Sequence, residues 1–372
     1  MPTARWEALR RARPALLVYV SIRALGLAVL FLWAHLAGRD AWQLLSERWD
    51  SLWYVRVVEH GYDFTLTAPD GRVLSDMAFF PLLPWLEEGL SAVTPLTPPA
   101  AGLAVSAVAS VAAAWGIFLL VAEVCGDDRP ALFTVAAWAA LPVGIVQSMA
   151  YSESLFVALS AWSLYAVVRR HWLWAGILAS LAGLTRPVGL AVAAALWLAA
   201  LTAWRRGGDR RRMAAGMVIA PLGAAGYILW VGGQVGGVFG YLDVQGAWGN
   251  GFDGGAAFAR FIGELLFSPA FAAGAGLLAG VVLIAWLFGR GVRQGQPPAL
   301  LAYTAIVVVL ALGASGYFGS KPRLLMPAFP LLIPAALALA RARPGVAWTV
   351  IGAASAVAAV YGAFWLHGSG PP

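Results

Sequence analysis

The most chemically suggestive part of the sequence is a stretch rich in aromatic and acidic residues, RWDSLWYVRVVEHGY, at positions 48–62. Asp50 has aromatic residues on both sides, and Glu59 and His60 follow it. Removal from water raises the basicity of a carboxylate, and a basic carboxylate is suited to taking a proton from an attacking hydroxyl group. The alternative interpretation is an ordinary interfacial belt, in which tryptophan and tyrosine are common without any catalytic role.

Three cations and one further acid lie beside or between apolar runs. Arg186 lies in LTRPVG, Lys321 (the only lysine) and Arg323 lie in GSKPRLL, and Glu153 lies in YSESLF. Ionisable groups at membrane depth usually face a cavity or a charged partner, although basic side chains at a helix end also extend to the interface. Glu153 is interpreted first as a structural carboxylate at a helix N-terminus or a partner of Arg186, and second as part of a site.

The composition predicts that membrane helices position these residues. Of the 372 residues, 61% are hydrophobic and 12% are charged, and the mean hydropathy is +0.76. Soluble proteins carry about 25% charged residues. The chain is therefore predicted to be an all-α polytopic membrane protein. The single cysteine, Cys125, excludes an internal disulfide.

The apolar blocks predict eleven membrane-spanning segments within one membrane-embedded domain, residues 1–372. The predicted spans are residues 15–36, 101–121, 131–148, 152–168, 172–185, 187–204, 214–232, 272–289, 299–317, 324–341 and 345–366. The first is interpreted as a retained span, because its apolar run is longer than the ~7–15 residues of a signal-peptide core.

The distribution of charge predicts the orientation. With the N-terminus in the cytoplasm, most of the 25 basic residues lie in short inner loops, and most of the 18 acidic residues lie in outer segments. The formal net charge of +7 is therefore interpreted as a signal of topology, and nucleic-acid binding is not expected. The acids direct attention to two long outer segments, 37–100 and 233–271.

The first outer segment, 37–100, is predicted to contain an amphipathic helix that lies along the membrane surface. On this helix Asp50, Trp53 and Tyr54 share one face. The aromatic side chains would lie at headgroup depth and hold Asp50 near the boundary between water and lipid. A turn within residues 65–73 follows, because proline, aspartate and glycine occur there in sequence.

The second outer segment, 233–271, is rich in glycine and is predicted to be a mobile interfacial loop with little regular structure. The alternative is that its aromatic and acidic residues, Tyr241, Trp248, Phe252 and Asp253, close over an acceptor sugar or lipid.

Five pieces of the chain carry a resemblance to a known family. They are RWDSLWYVRVVEHGY, AFFPLLPWL, YSESLFVALSAWSLYA, WLWAGILASLAGLTRPVG and PRLLMPAFPLL, in this order over about residues 48–334. Together they resemble the PIG-V family, the second mannosyltransferase of GPI-anchor synthesis, which belongs to the GT-C membrane glycosyltransferases. The resemblance implies a GT-C-type fold and inverting transfer of mannose from a polyprenyl-phosphate donor to an acceptor hydroxyl on the extracytoplasmic face.

The resemblance also implies roles for individual residues. Asp50 would be the essential catalytic aspartate of the first outer loop, and Asp76, just before AFFP, would be a second catalytic carboxylate. The candidates for binding the donor phosphate are Arg186, Lys321 and Arg323. The candidates for binding substrate are Trp49, Trp53, Tyr54, His60 and Glu153. A lone histidine beside a glutamate is more often a surface group, so His60 has that alternative.

The implied surroundings are a multi-pass protein of the cell membrane with a lipid-linked donor and a glycolipid, lipoglycan or protein acceptor. No cofactor is required, because arginine and lysine suffice for a lipid monophosphate; a divalent cation is left open. A partner subunit is also left open. The alternatives to an enzyme are a lipid or sugar transporter or flippase, and a non-catalytic membrane partner of a glycosyltransferase.

Overall fold

The apolar runs of the chain form helices, because a helix satisfies its backbone hydrogen bonds internally, as lipid requires. The structure, a computed structural model, describes residues 2–371. The helices of the first half are α1 (Pro2–Leu36), α2 (Ala41–Ser46), α3 (Asp50–His60), α4 (Leu82–Val93), α5 (Pro98–Cys125), α6 (Asp128–Ala139), α7 (Ser152–Val168), α8 (Trp172–Gly183) and α9 (Leu190–Trp204).

The helices of the second half are α10 (Arg210–Ile219), α11 (Leu222–Val235), α12 (Gly240–Ala247), α13 (Ala256–Leu266), α14 (Phe271–Arg293), α15 (Pro298–Gly313), α16 (Lys321–Leu325), α17 (Ile333–Arg341) and α18 (Pro344–His367). Two short strands, β1 (Thr65–Thr67) and β2 (Val73–Ser75), pair antiparallel. In the core, α5 packs against α6 and α7, α1 against α18, α8 against α7 and α10, and α9 against α15.

Every one of the eleven predicted spans coincides with helical structure, but fewer are long enough to cross a membrane alone. Among the described residues, six helical segments are sufficiently long and apolar, and a seventh is counted if the pair 318–325 and 329–341, bent by 76°, is one span. The remaining predicted spans are shorter helices, such as α8 with 12 residues. At about 1.5 Å per residue, such a helix covers little more than half of the ~30 Å hydrocarbon core.

One of these short helices ends earlier than predicted, at a point where a buried arginine of another helix binds the chain. The predicted span 131–148 stops as a helix at Ala139, and the chain continues into a short 3₁₀ turn, Gly144–Ser148. Arg23, 8% exposed within α1, donates hydrogen bonds to the carbonyl oxygens of Ala139, at 2.5 Å, and Gly144. An ionisable side chain within a membrane span needs a partner, and these carbonyl groups are the partners of Arg23.

The loops meet at two opposite ends of the helices. At one end, Arg11 pairs with Asp128 at 2.6 Å, and Arg169 pairs with Glu123 at 3.1 Å. At the other end, the start of α3 meets the start of α7 and α16. The ion pairs at the first end join segments that are predicted to be inner, and those at the second end join segments that are predicted to be outer. The contacts therefore agree with the predicted grouping of the loops.

The first long segment contains the predicted amphipathic helix, here α3. It buries Trp53 and Tyr54, which lie on the face predicted from the sequence, and it also buries Ser51 and Val57. The backbone enters the helix through Trp49, whose φ of 52° is a strained value for a bulky residue. The turn predicted within 65–73 is present, and strands β1 and β2 flank it.

The second long segment is more ordered than the sequence predicts. About half of 233–271 forms α12 and α13, and the glycines lie mainly at the connections, where four of them have positive φ. Two contacts hold α12 in place: Tyr241 packs edge-on against Phe80, and the indole N–H of Trp248 donates to the carbonyl of Ser75 at 2.9 Å. The expectation of little regular structure was wrong, because tertiary packing outweighs the low helix propensity of glycine.

We expect Arg23→Met to lower the free energy of unfolding by about 2 kcal/mol, because it leaves buried carbonyl groups without donors. Thermal unfolding in detergent measures this effect. Arg10→Met is the matched control, because Arg10 is an exposed arginine on the same helix. Equal unfolding temperatures for the two variants would contradict the assignment of Arg23 as the donor that satisfies the carbonyl groups of Ala139 and Gly144.

Glu87 is a buried acid between α4 and α5. It is 1% exposed, lies against Gly102, and its Oε2 atom has no hydrogen-bond partner among the described residues. Burial raises the pKa of this carboxyl from the ordinary 4.5 to about 9. The folded protein therefore holds Glu87 in its neutral form at pH 7.

Protein stability is predicted to fall with rising pH on account of Glu87. The unfolded chain loses this proton above about pH 4.5 and the folded chain only near pH 9, so the stabilisation is complete below the first value and is lost toward the second. Glu87→Gln should raise the melting temperature at pH 8 and leave it nearly unchanged at pH 5. Glu88→Gln, at an exposed neighbour, is the control. A Glu87→Gln effect independent of pH would contradict the assignment.

Candidate functional site

A cavity of ≈ 420 Å³ lies at the end of the bundle where α3, α7 and α16 meet. Its lining combines charged, polar and aromatic side chains from segments far apart in sequence. Its principal lining residues are Asp50, Tyr54, Phe79, Phe80, Ser152, Thr185, Arg186, Tyr241, Gln245, Trp248, Asn250, Tyr317, Ser320, Lys321 and Arg323. Five of the ten residues predicted to form the site line this cavity, and they come from three separate parts of the chain: Asp50, Tyr54, Arg186, Lys321 and Arg323.

Four charged side chains form a continuous chain of ion pairs beside the cavity. The Nη1 atom of Arg323 lies 2.5 Å from Oδ2 of Asp50, and its Nε atom lies 3.4 Å from Oε1 of Glu153. Glu153 also pairs with Arg186. The order is therefore Asp50, Arg323, Glu153, Arg186, with alternating sign, and we call this set the ion chain.

Each member of the ion chain lies at a helix terminus or a break between helices. Asp50 is the first residue of α3, and Glu153 lies in the first turn of α7. Arg186 lies in the break between α8 and α9, where Pro187 begins a short 3₁₀ turn. Arg323 lies in the short helix α16. Helix ends allow charged side chains to reach the interface region while the helix bodies remain apolar.

The members of the ion chain differ in their access to solvent. The side chain of Glu153 is 1% exposed and that of Arg323 is 8% exposed, whereas those of Arg186 and Asp50 are 17% and 25% exposed. Buried charges are tolerated only when they are paired. Glu153 is thus the internal anion that balances both arginines, and Asp50 is the carboxylate with the greater access to the cavity.

Two tyrosines complete the wall next to Asp50. The hydroxyl of Tyr54 donates to Ser152 Oγ at 2.9 Å, and burial raises the pKa of Tyr54 above its ordinary value. Tyr151 is completely buried, and its ring centroid lies 5.1 Å from Cζ of Arg323. Tyr54 therefore remains a neutral hydrogen-bonding group at physiological pH.

Lys321 lines the cavity, but its ammonium group is engaged elsewhere. Its Nζ atom donates to the carbonyl oxygens of Ala311, Leu312 and Ala314, at 2.9, 3.2 and 2.7 Å. An ammonium group has three N–H donors, so all three bind the C-terminal end of α15. The predicted direct contact of Lys321 with a phosphate is not supported by this geometry; its charge remains near the cavity.

Asp76 lies in the wall behind the cavity and does not line it. The residue is 0% exposed, and its Oδ2 atom accepts a hydrogen bond from the backbone N–H of Phe64 at 3.1 Å. Burial raises the pKa of Asp76. The structure thus separates the two predicted catalytic acids, because Asp76 is turned into the hairpin that it helps to fold.

Besides Glu153, three predicted substrate-binding residues also lie outside the cavity lining. Trp53 is buried and stacks on Phe79, which lies between it and the cavity. Trp49 packs against the core and under Arg48, whose Cζ lies 4.0 Å from the ring centroid. The side chain of His60 is 63% exposed at the end of α3. His60 therefore lies at the surface, and Trp49 and Trp53 pack behind the residues that line the cavity.

Several lining residues have no predicted role, because nothing in their local sequence marks them. Tyr151, which lies behind Asp50 and does not itself line the cavity, also has no predicted role; its proximity to Glu153 in the motif YSESLF is the available signal. Gln245 donates to Tyr241 Oη at 2.8 Å and accepts from Asn250 at 2.9 Å. Of the four residues that the alternative prediction places over an acceptor, Tyr241 and Trp248 line the cavity.

Within residues 2–371, no group of three or more His, Cys, Asp or Glu side chains is arranged to hold a metal ion. The charges around the cavity are instead supplied by the ion chain and Lys321. These five groups comprise three cations and two anions.

The fold is similar to that of solved membrane proteins. The structure of ArnT from Cupriavidus metallidurans bound to undecaprenyl phosphate matches with a TM-score of 0.55 at 17% identity, over 89% of this chain and 61% of that one. An oligosaccharyltransferase from Archaeoglobus fulgidus, in the apo form, matches with a TM-score of 0.52 at 17% identity, over 95% of this chain and 55% of that one.

The present chain thus spans little more than half the length of these two proteins. These likenesses confirm the predicted all-α, polytopic GT-C-type fold. No protein-family model and no curated protein sequence matches the chain.

We predict that Glu153→Gln lowers the free energy of unfolding by about 3–5 kcal/mol, because it leaves Arg186 and Arg323 buried without their shared counter-charge. Thermal unfolding of the purified protein tests this. Glu123→Gln is the matched control: it breaks an exposed ion pair with Arg169, which should cost below about 1 kcal/mol. The double variant Glu153→Gln with Arg186→Gln should regain part of the loss. Equal effects of the two single variants would refute the internal role of Glu153.

Proposed function

We propose that the protein is a membrane glycosyltransferase that moves a sugar from a polyprenyl-phosphate donor to an acceptor hydroxyl. The observation that carries this proposal is the cavity in which the accessible carboxylate of Asp50 lies next to buried guanidinium groups. The GT-C-type fold supports it, since the similar ArnT structure is bound to undecaprenyl phosphate. The resemblance to PIG-V-like enzymes favours mannose as the sugar.

In the proposed reaction Asp50 acts as general base. The acceptor oxygen bonds to the anomeric carbon while the bond from that carbon to the phosphate oxygen breaks. The acceptor proton passes to Asp50, and the electron pair of the broken bond stays on the phosphate. Because attack and departure occur on opposite faces of the anomeric carbon, this course inverts its configuration.

The charges around the cavity suit a departing phosphate. Arg186, Lys321 and Arg323 supply three positive charges against the two carboxylates of Asp50 and Glu153, which leaves one net positive charge. Preorganised cations stabilise a charge that develops in the transition state. We assign the direct phosphate contact to Arg323 and Arg186, and a longer-range electrostatic contribution to Lys321.

An apolar groove next to the cavity supports a lipid-linked donor. Two adjoining hollows of ≈ 410 and ≈ 210 Å³ lie between α13, α14 and α15 and are lined almost entirely by aliphatic and aromatic side chains. The groove ends at Gly313, and the next residue, Ala314, lines the cavity. A polyprenyl chain in this groove would therefore have its phosphate at the mouth of the cavity.

We further propose that the cavity faces the extracytoplasmic side of the cell membrane. The arginine-rich loops gather at the opposite end of the bundle, in agreement with the positive-inside rule. The acceptor is proposed to be a glycolipid, a lipoglycan or a protein, and a partner subunit is part of the same hypothesis.

The transporter alternative is weaker, because it needs ionisable residues along a route across the membrane. Arg23, the ionisable residue that the sequence places within a span, binds two backbone carbonyl groups. A non-catalytic partner would not need an accessible carboxylate beside a cationic cavity. Activity of the isolated chain would exclude this second alternative.

We expect Asp50→Asn to reduce sugar transfer by about 10²–10⁴-fold, because an amide cannot accept the acceptor proton. The assay follows labelled mannose from undecaprenyl-phosphate mannose into lipid and protein acceptors extracted from membranes of the source organism. Asp63→Asn, at an exposed acid of the same loop, is the control and should retain activity. Full activity of a folded Asp50→Asn variant would refute the assignment of the base, and donors with other sugars test the preference for mannose.

A further inference from the structure

We propose that Tyr151 is a positioning residue that fixes the relative positions of Asp50 and Arg323 at the cavity wall. This inference rests on the proposed function. Tyr151 is 0% exposed and does not line the cavity. It nevertheless contacts both ends of the ion pair between Asp50 and Arg323. Its hydroxyl oxygen accepts the backbone N–H of Asp50 at 3.3 Å, and its ring lies against the guanidinium of Arg323.

The backbone of Asp50 needs an external hydrogen-bond acceptor. As the first residue of α3, Asp50 has an N–H group without a partner inside the helix. The preceding residue, Trp49, has a φ of 52° and offers no side-chain cap. A strained entry persists only when its surroundings fix it. The phenol oxygen of Tyr151, the residue that precedes α7, accepts this N–H and so helps to fix the entry of the backbone into α3.

The ring of Tyr151 acts on Arg323 rather than on Asp50. The Cζ atom of Arg323 lies 5.1 Å from the ring centroid, within the ~6 Å range of a cation–π contact. Arginine has a planar guanidinium that stacks on aromatic faces. The ring therefore limits the positions that the guanidinium can adopt between Asp50 and Glu153.

Tyr151 is itself anchored on both sides by backbone contacts. Its carbonyl oxygen accepts the hydroxyl of Ser106 in α5 at 3.0 Å. The preceding N–H, of Ala150, donates to the carbonyl of Leu45 in α2 at 3.0 Å. Because α2 and α5 belong to the packed core, these contacts fix the position of Tyr151 relative to the core. The hydroxyl of Tyr151 in turn fixes the backbone of Asp50.

The first test is Tyr151→Phe, which removes the hydroxyl and keeps the ring. We expect kcat to fall about 10-fold and the KM for undecaprenyl-phosphate mannose to change by less than about twofold, since a hydrogen bond that orients the base acts mainly on the chemical step. The assay uses the acceptor extract described above.

The second test is Tyr151→Leu, which also removes the ring. We expect the dissociation constant of undecaprenyl phosphate, measured on the purified protein without turnover, to rise about fivefold for Tyr151→Leu, because Arg323 loses its cation–π contact. The same constant should stay within twofold of the wild type for Tyr151→Phe. This comparison separates the ring from the hydroxyl.

Tyr303→Phe is the matched control. Tyr303 is equally buried, and its hydroxyl donates to the carbonyl of Pro327 at 3.0 Å, away from the cavity lining. The control should lose comparable stability and keep its kcat. A purely structural role of Tyr151 would give the two Phe variants the same kcat, and this result would overturn the proposal even if Tyr151→Leu does not fold.

The proposed function fails by a different result. A wild-type protein that transfers no sugar from any polyprenyl-phosphate donor would refute the enzyme assignment. The binding comparison still decides the role of the Tyr151 ring in that case. An unchanged dissociation constant for folded Tyr151→Leu overturns it. If Tyr151→Leu does not fold, Tyr151→Met, which also lacks a ring but fills more of the space, replaces it in the same comparison.

Discussion

The ion chain of Asp50, Arg323, Glu153 and Arg186 is the constraint on which the cavity depends. Its centre, Glu153, is buried, and an uncompensated buried charge costs several kcal/mol. The four side chains of the ion chain are therefore held together, because moving either arginine away would leave the buried carboxylate of Glu153 with too little positive charge beside it. Since Asp50 and Arg323 are far apart in sequence, the apolar packing of the whole bundle must bring their helix ends to one place.

Much of this arrangement is predictable from the sequence, because the relevant forces are local or periodic. Hydrophobic runs predict helices wherever lipid forbids unpaired backbone groups, and all the predicted spans are helical. The face of α3 that contains Trp53 and Tyr54 follows from helical periodicity. The pairing of Glu153 with Arg186 follows from the cost of isolated charges at membrane depth.

The remainder depends on tertiary contacts that local sequence does not encode. A lysine near a helix end looks the same whether it binds phosphate or, as Lys321 does, the carbonyl groups of a neighbouring helix. Asp76 is acidic and near the correct motif, but hairpin formation turns it away from the cavity. The proximity of Tyr151 to Glu153 in the sequence does not reveal its role, which arises from its position between two charged residues that only the fold brings together.

The energetics of the ion chain also favour a functional interpretation. Replacing a buried ion pair with well-packed apolar residues is often neutral or stabilising, so stability alone does not explain why charges line this wall. Here the internal member Glu153 is 1% exposed, whereas Asp50 is 25% exposed and reaches a cavity that adjoins an apolar groove. A carboxylate held at that boundary by a buried cation is positioned to act on a polar group delivered by a lipid.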